Sequence, residues 1–521
     1  MELKLGEVFG SGMVLQRERP VAVWGTALPG SKVEVDLQKQ HVSCTAGDDG
    51  SWSLMLQPLH TAYNQRMQVR CGGEEMVLED VLVGEVWIAG GQSNMEFFLR
   101  YDKDRDEVLK TCTNPDIRFF DYPEIANEAL RYGQDYSRFG FWRPCTPEHV
   151  DYYSAVAYYF ASQLQKKLKV PVGIIGCNCG GTRSMCWMDE ETLAQCGPEW
   201  KAQYEAGLAA IPDLEAAEQR YRNGPMAEKS DPFHHPFQDP MFRGPAEEEL
   251  AEIFRQMDAA GGQVVGPWHE WRPCGLYHTM LEHIMPYTVR GVIWYQGESD
   301  EIIPHKYRDM MEGLIGLWRR KWNAELPFLM VQLAPYGMGE AYPALREQQL
   351  LVCETVKNVW LASSSDVGHP FDVHPKEKRP IGNRLAALAL GHVYKENGLV
   401  LCDAPTAALN RASWCGSTVT VPMWGSMGGL RVNGSGVNGL QVLCDGQETA
   451  CEAAAEGETL VIRLPEGLAA HTVTVKFCRT PYYCCNLVNM AGTAAMPFEI
   501  SFTEQTREVP AAVFSGFNVV M

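Results

Sequence analysis

The run Val81-Leu-Val-Gly-Glu-Val-Trp-Ile-Ala-Gly90 constrains the fold more than any other stretch of the chain. It is apolar almost throughout, rich in β-branched and aromatic residues and bounded by turn glycines, so it reads as a buried strand. It stops abruptly in Gly90-Gly91-Gln92-Ser93-Asn94, a polar turn that leaves one serine at the strand's carboxyl end. Open α/β sheets bind ligands at that edge. An ordinary strand-to-helix turn accounts for the same residues, with Ser93 as helix N-cap and Glu96 completing a capping box. The G-x-S-x-G elbow of common α/β hydrolases is absent, because Asn94 and Met95 follow the serine.

From Val81 onward, buried strands alternate with helical stretches. Strands are predicted at Pro171–Gly176, Gly291–Tyr295, Phe328–Gln332 and Val359–Ala362, and helices at Ser154–Lys167, Tyr307–Trp322 and Pro380–Val393. That order implies an α/β domain with a doubly wound, mostly parallel sheet over residues 81–400. Residues 1–80 read instead as short strands, among them Val21–Trp24, Lys32–Asp36, Trp52–Met55 and Met67–Arg70, with Pro29-Gly30 and Asp48-Asp-Gly50 as turns. A small β-sandwich-like domain is expected there. Residues 401–521 return to β, with strands at Thr418–Val421, Gly439–Leu443, Thr459–Arg463 and His471–Lys476. Between about 199 and 272 a Pro-, Glu- and Ala-rich segment carries amphipathic pieces at Asp213–Tyr221 and Ala246–Ala260 around a loop at Pro225–Pro245, and reads as a helical insertion.

At 521 residues the chain is too long for one typical core. Its 65 acidic against 45 basic side chains leave a formal charge of -20, which would repel phosphate backbones and anionic membrane surfaces, so neither nucleic acid nor membrane is expected as a partner. No apolar run approaches membrane-spanning length, and the first residues lack a basic region followed by an apolar stretch. Seventeen scattered cysteines fit reduced, buried thiols better than a disulfide framework. A cytoplasmic protein is expected; a secreted chain trimmed of its signal would look the same. No C-x-x-C or H-E-x-x-H occurs, so metal is not expected.

Three further segments follow predicted strands directly. Gly180-Gly181-Thr182-Arg183 can offer a backbone N–H to a developing oxyanion, or be a tight turn only. Gln296-Gly297-Glu298-Ser299 places an amide and a carboxylate at a strand end, where buried polar groups need partners. Asp366-Val-Gly-His369-Pro-Phe-Asp372-Val-His374-Pro375 offers two histidines and two aspartates in one turn. A serine attacks only if a base takes its proton, and the base is held by a carboxylate. The order serine, oxyanion donors, then Asp and His suits a hydrolase.

Taken together, Gly91-Gln92-Ser93-Asn94-Met95, Gly180-Gly181-Thr182, Trp294-Tyr295-Gln296-Gly297-Glu298-Ser299 and Asp372-Val373-His374-Pro375 resemble, in order, the four blocks of the sialate O-acetylesterase family of SGNH hydrolases. Pro171–Ile175, Gly275-Leu276-Tyr277, Arg346-Glu347-Gln348, Ile381–Leu385 and the tail from Cys485-Asn486-Leu487 through Pro497-Phe498 extend the likeness over nearly the whole chain. The resemblance implies Ser93 as nucleophile, His374 as general base and Asp372 as its orienting carboxylate, with an oxyanion hole from the backbone of Ser93 and Gly181 and the side chain of Gln296. It also implies no cofactor and a small acetylated sugar or oligosaccharide as partner. Gln92, Asn94, Arg183, Glu298 and Asp300 are the expected substrate-binding or supporting residues. Asp366 is the alternative to Asp372, since Asp366-Val-Gly-His369 has the longer Asp-x-x-His spacing common in the superfamily. Asp300 stands where relatives often carry asparagine, and Cys177 and Cys179 occupy a loop that is often polar or aromatic. Arg183 could bind a carboxylate such as that of sialic acid, or make a structural ion pair. Trp187, Trp268, Trp271 and Tyr277 could stack on sugar rings, or belong to the core. The expected activity is removal of O-acetyl groups from sialic acid. Acetylated xylo- or manno-oligosaccharides are the alternative substrates, and a non-catalytic carbohydrate-binding protein is the alternative class.

Overall fold

A computed structural model describes residues 2–130, 139–227, 234–259, 264–395 and 403–503. Parts of the expected insertion loop, the 400/401 boundary and the last eighteen residues lie outside them. The chain forms two compact units, Met1–Gln296 with Asp309–Phe328, and Gly297–Arg308 with Leu329–Met521.

The first unit begins with short strands: β1 (Lys4–Leu5), β2 (Val14–Gln16), β3 (Val21–Thr26), β4 (Lys32–Leu37), β5 (Gln40–Thr45), β6 (Ser51–Leu56) and β7 (Ala62–Cys71). Strands β1, β3 and β6 make one antiparallel sheet, while β4 pairs with β5 and β7. Alternation sends Trp52, Leu54 and Leu56 of β6 inward and their neighbours outward. Strand β7 then pairs with β8 (Glu74–Gly91), an 18-residue strand that also pairs in parallel with β2. The expected boundary at 80/81 therefore falls inside a continuous strand, which crosses the polar step Glu79-Asp80 with Asp80 at φ 53°.

The far half of β8 is the centre of the α/β part. Going on along the chain come β9 (Asn114–Asp121), β10 (Trp142–Cys145), helix α1 (Ala155–Leu168), β11 (Val172–Asn178) and β12 (Gly291–Tyr295). Their spatial order is β10-β9-β11-β8-β12, with β9, β11, β8 and β12 parallel and β10 an antiparallel edge. The chain leaves β8 toward β9 on one side and later reaches β12 on the other, so β8 lies at a topological switch point, where a crevice opens beyond the strand ends. Helix α1 starts where Ser154 Oγ accepts the Ala157 N–H, a standard N-cap.

The described residues of the 199–272 region form α2 (Pro198–Ala209), α3 (Leu214–Asn223), α4 (Gln238–Arg243) and α5 (Glu247–Ala259); α3 and α5 match the expected amphipathic pieces, whereas α4 lies in the stretch expected as a loop. Tyr221, Phe237, Ile253, Met257 and Trp268 form its own small core.

In the second unit, helix α6 (Tyr307–Trp322), which begins there and runs on into the first unit, is followed by β13 (Phe328–Val331), α7 (Tyr342–Thr355), β14 (Val359–Ala362) and α8 (Arg379–Leu388). The described residues from 403 on form a five-stranded and a four-stranded antiparallel sheet, with a small two-stranded one beside them in sequence. The first layer contains β15 (Thr418–Trp424), β17 (Glu452–Glu456) and β18 (Thr459–Arg463), and the second β16 (Leu440–Cys444), β19 (Thr472–Phe477) and β20 (Phe498–Thr503). Val419, Val421, Leu460 and Ile462 of one layer share a core with Val442, Val475, Phe477 and Phe502 of the other, as in a sandwich.

Candidate active site

Three parallel strands end at one level. Gly91 of β8 stands opposite Asn178 of β11 and Tyr295 of β12, so Gln92-Ser93, Cys179-Gly180-Gly181 and Gln296 leave the sheet side by side. The Gln92 N–H donates to Tyr295 O at 3.0 Å and the Cys179 N–H to Gly91 O at 3.2 Å, which ties both outgoing turns to the strand ends. Gly91 sits at φ 134°, and a Cβ there would lie 2.1 Å from Tyr295 O, so glycine is required.

Ser93 opens a one-turn helix, Ser93–Glu96, and is the one residue from Gly91 to Leu99 that is not buried. The capping-box reading does not hold: Gln92 precedes the turn, it makes no side-chain cap, and Glu96 accepts a hydrogen bond from the Gln238 amide instead. Gln92 and Asn94 on either side of the serine are buried.

The Gly180-Gly181 turn faces this serine: a Cβ on Gly180 would lie 3.7 Å from Ser93 Cβ. Thr182 Oγ1 donates to Cys179 O at 2.7 Å, Gln296 Nε2 donates to Thr182 O at 3.2 Å, and Trp271 Nε1 donates to Gly180 O at 3.1 Å. Gln296 thus spends one amide hydrogen on the turn that it flanks, and the side chain is wholly buried. Cys177 and Cys179 border the site as buried thiols; burial pushes Cys177 up, which keeps it protonated and poorly nucleophilic.

Arg183 stacks over Trp200 at 5.1 Å and lines a cleft of about 600 Å³ together with Tyr204, Gln203 and the exposed Arg220. Of the four candidate stacking rings, Trp187, Trp268 and Tyr277 are core side chains, each at most 1% exposed. Trp187 Nε1 donates to Thr182 Oγ1 at 3.1 Å. Trp271 is partly exposed and packs on the Gly180-Gly181 turn.

In the second unit, Glu298 and Asp300 are buried on one 3-10 turn, Glu298–Asp300. The segment after β14 holds both histidines, and they differ in use. His369 Nδ1 accepts the N–H groups of Phe371 and Asp372, at 3.2 and 2.9 Å, so that ring caps its own loop. His374 is 3% exposed. Asp372 holds it through the main chain: Oδ1 accepts the His374 N–H at 2.8 Å and Oδ2 pairs with Lys376 at 3.0 Å. Burial pulls the Lys376 ammonium below the ordinary lysine range and Asp372 opposes that pull. The alternative carboxylate, Asp366, is taken by a bidentate pair with Arg384, both contacts 2.7 Å. Asp372 positions the histidine's backbone, and neither aspartate bonds the imidazole.

Gln238 escaped the sequence reading, and Trp271 was read there only as a candidate stacking ring. Both, from the insertion, reach the Ser93 helix and the glycine turn. Their partners lie 142 and 91 positions away, and no local pattern marks such pairings.

Comparison with known proteins agrees with this geometry. The profile of the carbohydrate esterase, sialic acid-specific acetylesterase family matches residues 254–390. The sialate O-acetylesterase of Mus musculus is 25% identical over 425 residues, covering 74% of this chain and 73% of its own. That of Homo sapiens is 23% identical over 436 residues, covering 76% and 72%. A solved carbohydrate acetylesterase from Xanthomonas citri superposes with a TM-score of 0.74 at 26% identity, covering 95% of this chain and 99% of that one. With a serine and a glycine turn meeting at the switch point of a parallel sheet, and with this similarity to the sialate O-acetylesterases, the chain is a carboxylic ester hydrolase.

Proposed function

We propose that the protein is a serine esterase that removes O-acetyl groups from sugars, O-acetylated sialic acid first among them, through an acetyl-enzyme on Ser93. The observation that carries this reading is the alignment of Gly91, Asn178 and Tyr295, which brings Ser93, Gly181 and Gln296 out at one sheet edge. Ser93 attacks the acetyl carbonyl, and the N–H groups of Ser93 and Gly181 with the Gln296 amide receive the oxyanion. His374 takes the serine proton and passes it to the departing sugar hydroxyl; water then enters by the reverse route and releases acetate. Asp372 acts by holding the His374 loop, and Glu298 and Asp300 support the Gln296 segment. The sheet is read as SGNH-type, flanked by the two β modules, and the protein as cytoplasmic.

Sialate is favoured over neutral xylo- or manno-oligosaccharides by two features. Three of the four candidate stacking rings are buried, and the cleft that begins at Arg183 carries a second arginine, Arg220. Acetate release from O-acetylated sialic acid, with acetylated xylo- and manno-oligosaccharides in parallel, tests the reading. Fast release from sialate, lost in Ser93→Ala, is expected. Release that survives Ser93→Ala, or its absence with every substrate, would overturn it.

A further inference from the structure

We propose that Trp271, carried by the insertion, is the positioning residue that aims the Gly181 main-chain N–H at the reacting carbonyl. The inference rests on the reading of Gly181 as an oxyanion donor. The N–H of Gly181 and the carbonyl of Gly180 belong to one planar trans peptide and point in opposite directions, so fixing one fixes the other. A Gly-Gly peptide has little preference of its own, and rotating it by half a turn would put the carbonyl oxygen where the oxyanion must sit.

Trp271 opposes that rotation in two ways. Its indole N–H donates to Gly180 O at 3.1 Å. Its ring also lies against the Gly181 α-carbon, with Cζ2, Cε2 and Nε1 at 2.6 to 2.8 Å from the position a Cβ would take, while Gly181 is held at φ 70°. Accepting the indole hydrogen further polarises the amide, which strengthens its N–H as a donor.

The tryptophan is itself anchored from behind. Its main-chain N–H donates to His269 Nδ1 at 3.1 Å, and the two rings lie 4.8 Å apart. His269 is fully buried beside Glu270, whose carboxylate accepts the Tyr221 hydroxyl at 2.6 Å. Tyr221 belongs to the insertion core with Phe237, Ile253 and Trp268. A chain of contacts thus runs from that core to the oxyanion turn, and the insertion completes the site instead of merely covering it.

The test compares Trp271→Phe, which keeps a ring and removes the N–H, with Trp271→Leu, with Ser93→Ala, and with Leu54→Ala, which empties a buried position of β6 outside the insertion core. The readouts are kcat, KM, thermal unfolding and the affinity of an alkyl boronic acid, which adopts the tetrahedral geometry on serine. For Trp271→Phe, kcat is expected to fall about 10- to 100-fold, part of what loss of a whole oxyanion donor costs, with KM changed less than about twofold and boronate affinity lost by the same factor. Leu54→Ala is expected to lower the unfolding temperature and leave kcat in place. Both Trp271 variants keeping wild-type kcat while Ser93→Ala is inactive would overturn the proposal alone. A kcat loss in Trp271→Phe matched by Leu54→Ala would also overturn it, as a stability effect. An active Ser93→Ala would remove the serine reading beneath it.

Discussion

Gly91 makes the most stringent backbone demand in the Ser93 turn, since its φ of 134° and the 2.1 Å approach of Tyr295 O leave no room for a side chain. Gly91→Ala is expected to cost about 2 kcal/mol or more, through strain and a displaced strand end, read as a lowered midpoint in urea unfolding. Gln296 is the opposite case, a residue whose loss should spare the fold more than the chemistry. On the proposed reading of Gln296 as an oxyanion donor, Gln296→Ala is expected to lower kcat about 10²- to 10³-fold with KM much less affected in steady-state acetate release. That Ser93, Gly181 and Gln296 leave the sheet at one edge was legible in the sequence for one physical reason: each lies shortly beyond an apolar run that reads as a buried strand. Asp372 was legible as a neighbour of His374 but not in its manner of acting. An Asx-type bond to a backbone N–H two residues on and a bond to an imidazole use the same residue types at the same spacing, and only coordinates separate them.

At the scale of elements, the apolar strands and capped helices were readable almost to the residue. Tyr307–Trp322 coincides with α6, and Ser154 precedes α1 as its cap. Strand β9 went unread because Pro115 and three charged side chains interrupt Asn114–Asp121. Helix α2 went unread because all but one of its twelve residues are at least partly exposed, and a helix with no apolar stripe has no periodicity to detect. What the periodicity conceals altogether is where a short helix docks. Helix α4 packs Phe242 against Phe97, Phe98 and Tyr101, at 5.5, 6.1 and 5.5 Å between centroids, while Asp239 accepts the Tyr101 hydroxyl at 2.5 Å. Phe242→Ala leaves a cavity at this contact and is expected to cost about 3 kcal/mol of local stability. Limited proteolysis checks it: cleavage within the insertion should accelerate in the variant while the rest of the chain stays resistant.

For the molecule as a whole, buried charge at two places joins the β modules to the α/β parts. In the first unit Glu85 is fully buried on β8, with Arg17 Nε at 2.6 Å, Arg290 Nε at 2.7 Å and Gln16 Nε2 at 3.0 Å. Burial pushes its carboxyl up, but Arg290, then Arg17 and Gln16, outweigh it and hold the group below the usual glutamate range. A depressed folded pKa means that the contribution is present above the unfolded glutamate value and is lost as pH falls through the folded one. Glu85→Gln, which takes the buried carboxylate from two guanidinium groups that otherwise have the more distant, exposed Glu18, is expected to cost about 3 kcal/mol at neutral pH. Urea unfolding across pH should show that gap closing only in acid, below the ordinary glutamate pKa. In the second unit Arg346, 1% exposed, donates to four carbonyls: Leu333 at 2.9 Å and Ala334 at 3.0 Å beyond β13, and Thr480 at 3.0 Å and Pro481 at 2.9 Å in the C-terminal β module. The Tyr336 N–H donates to Pro481 O at 3.0 Å and the Cys485 N–H to Ser365 O at 3.3 Å, so this module supplies main-chain partners to the strand ends that lead toward His374. A module attached by a flexible linker would make no such bonds. Arg346→Met takes a donor from four carbonyls, the two beyond β13 buried and the two in the C-terminal module partly exposed, and is expected to cost about 3 kcal/mol in thermal unfolding. Removing everything after residue 395 strips away the same partners together with the core they rest on, and the shortened chain is expected to lack both a cooperative transition and esterase activity. A truncated protein that unfolds cooperatively and releases acetate at the full-length rate would show instead that the module is dispensable and that Arg346 serves only the loop beyond β13.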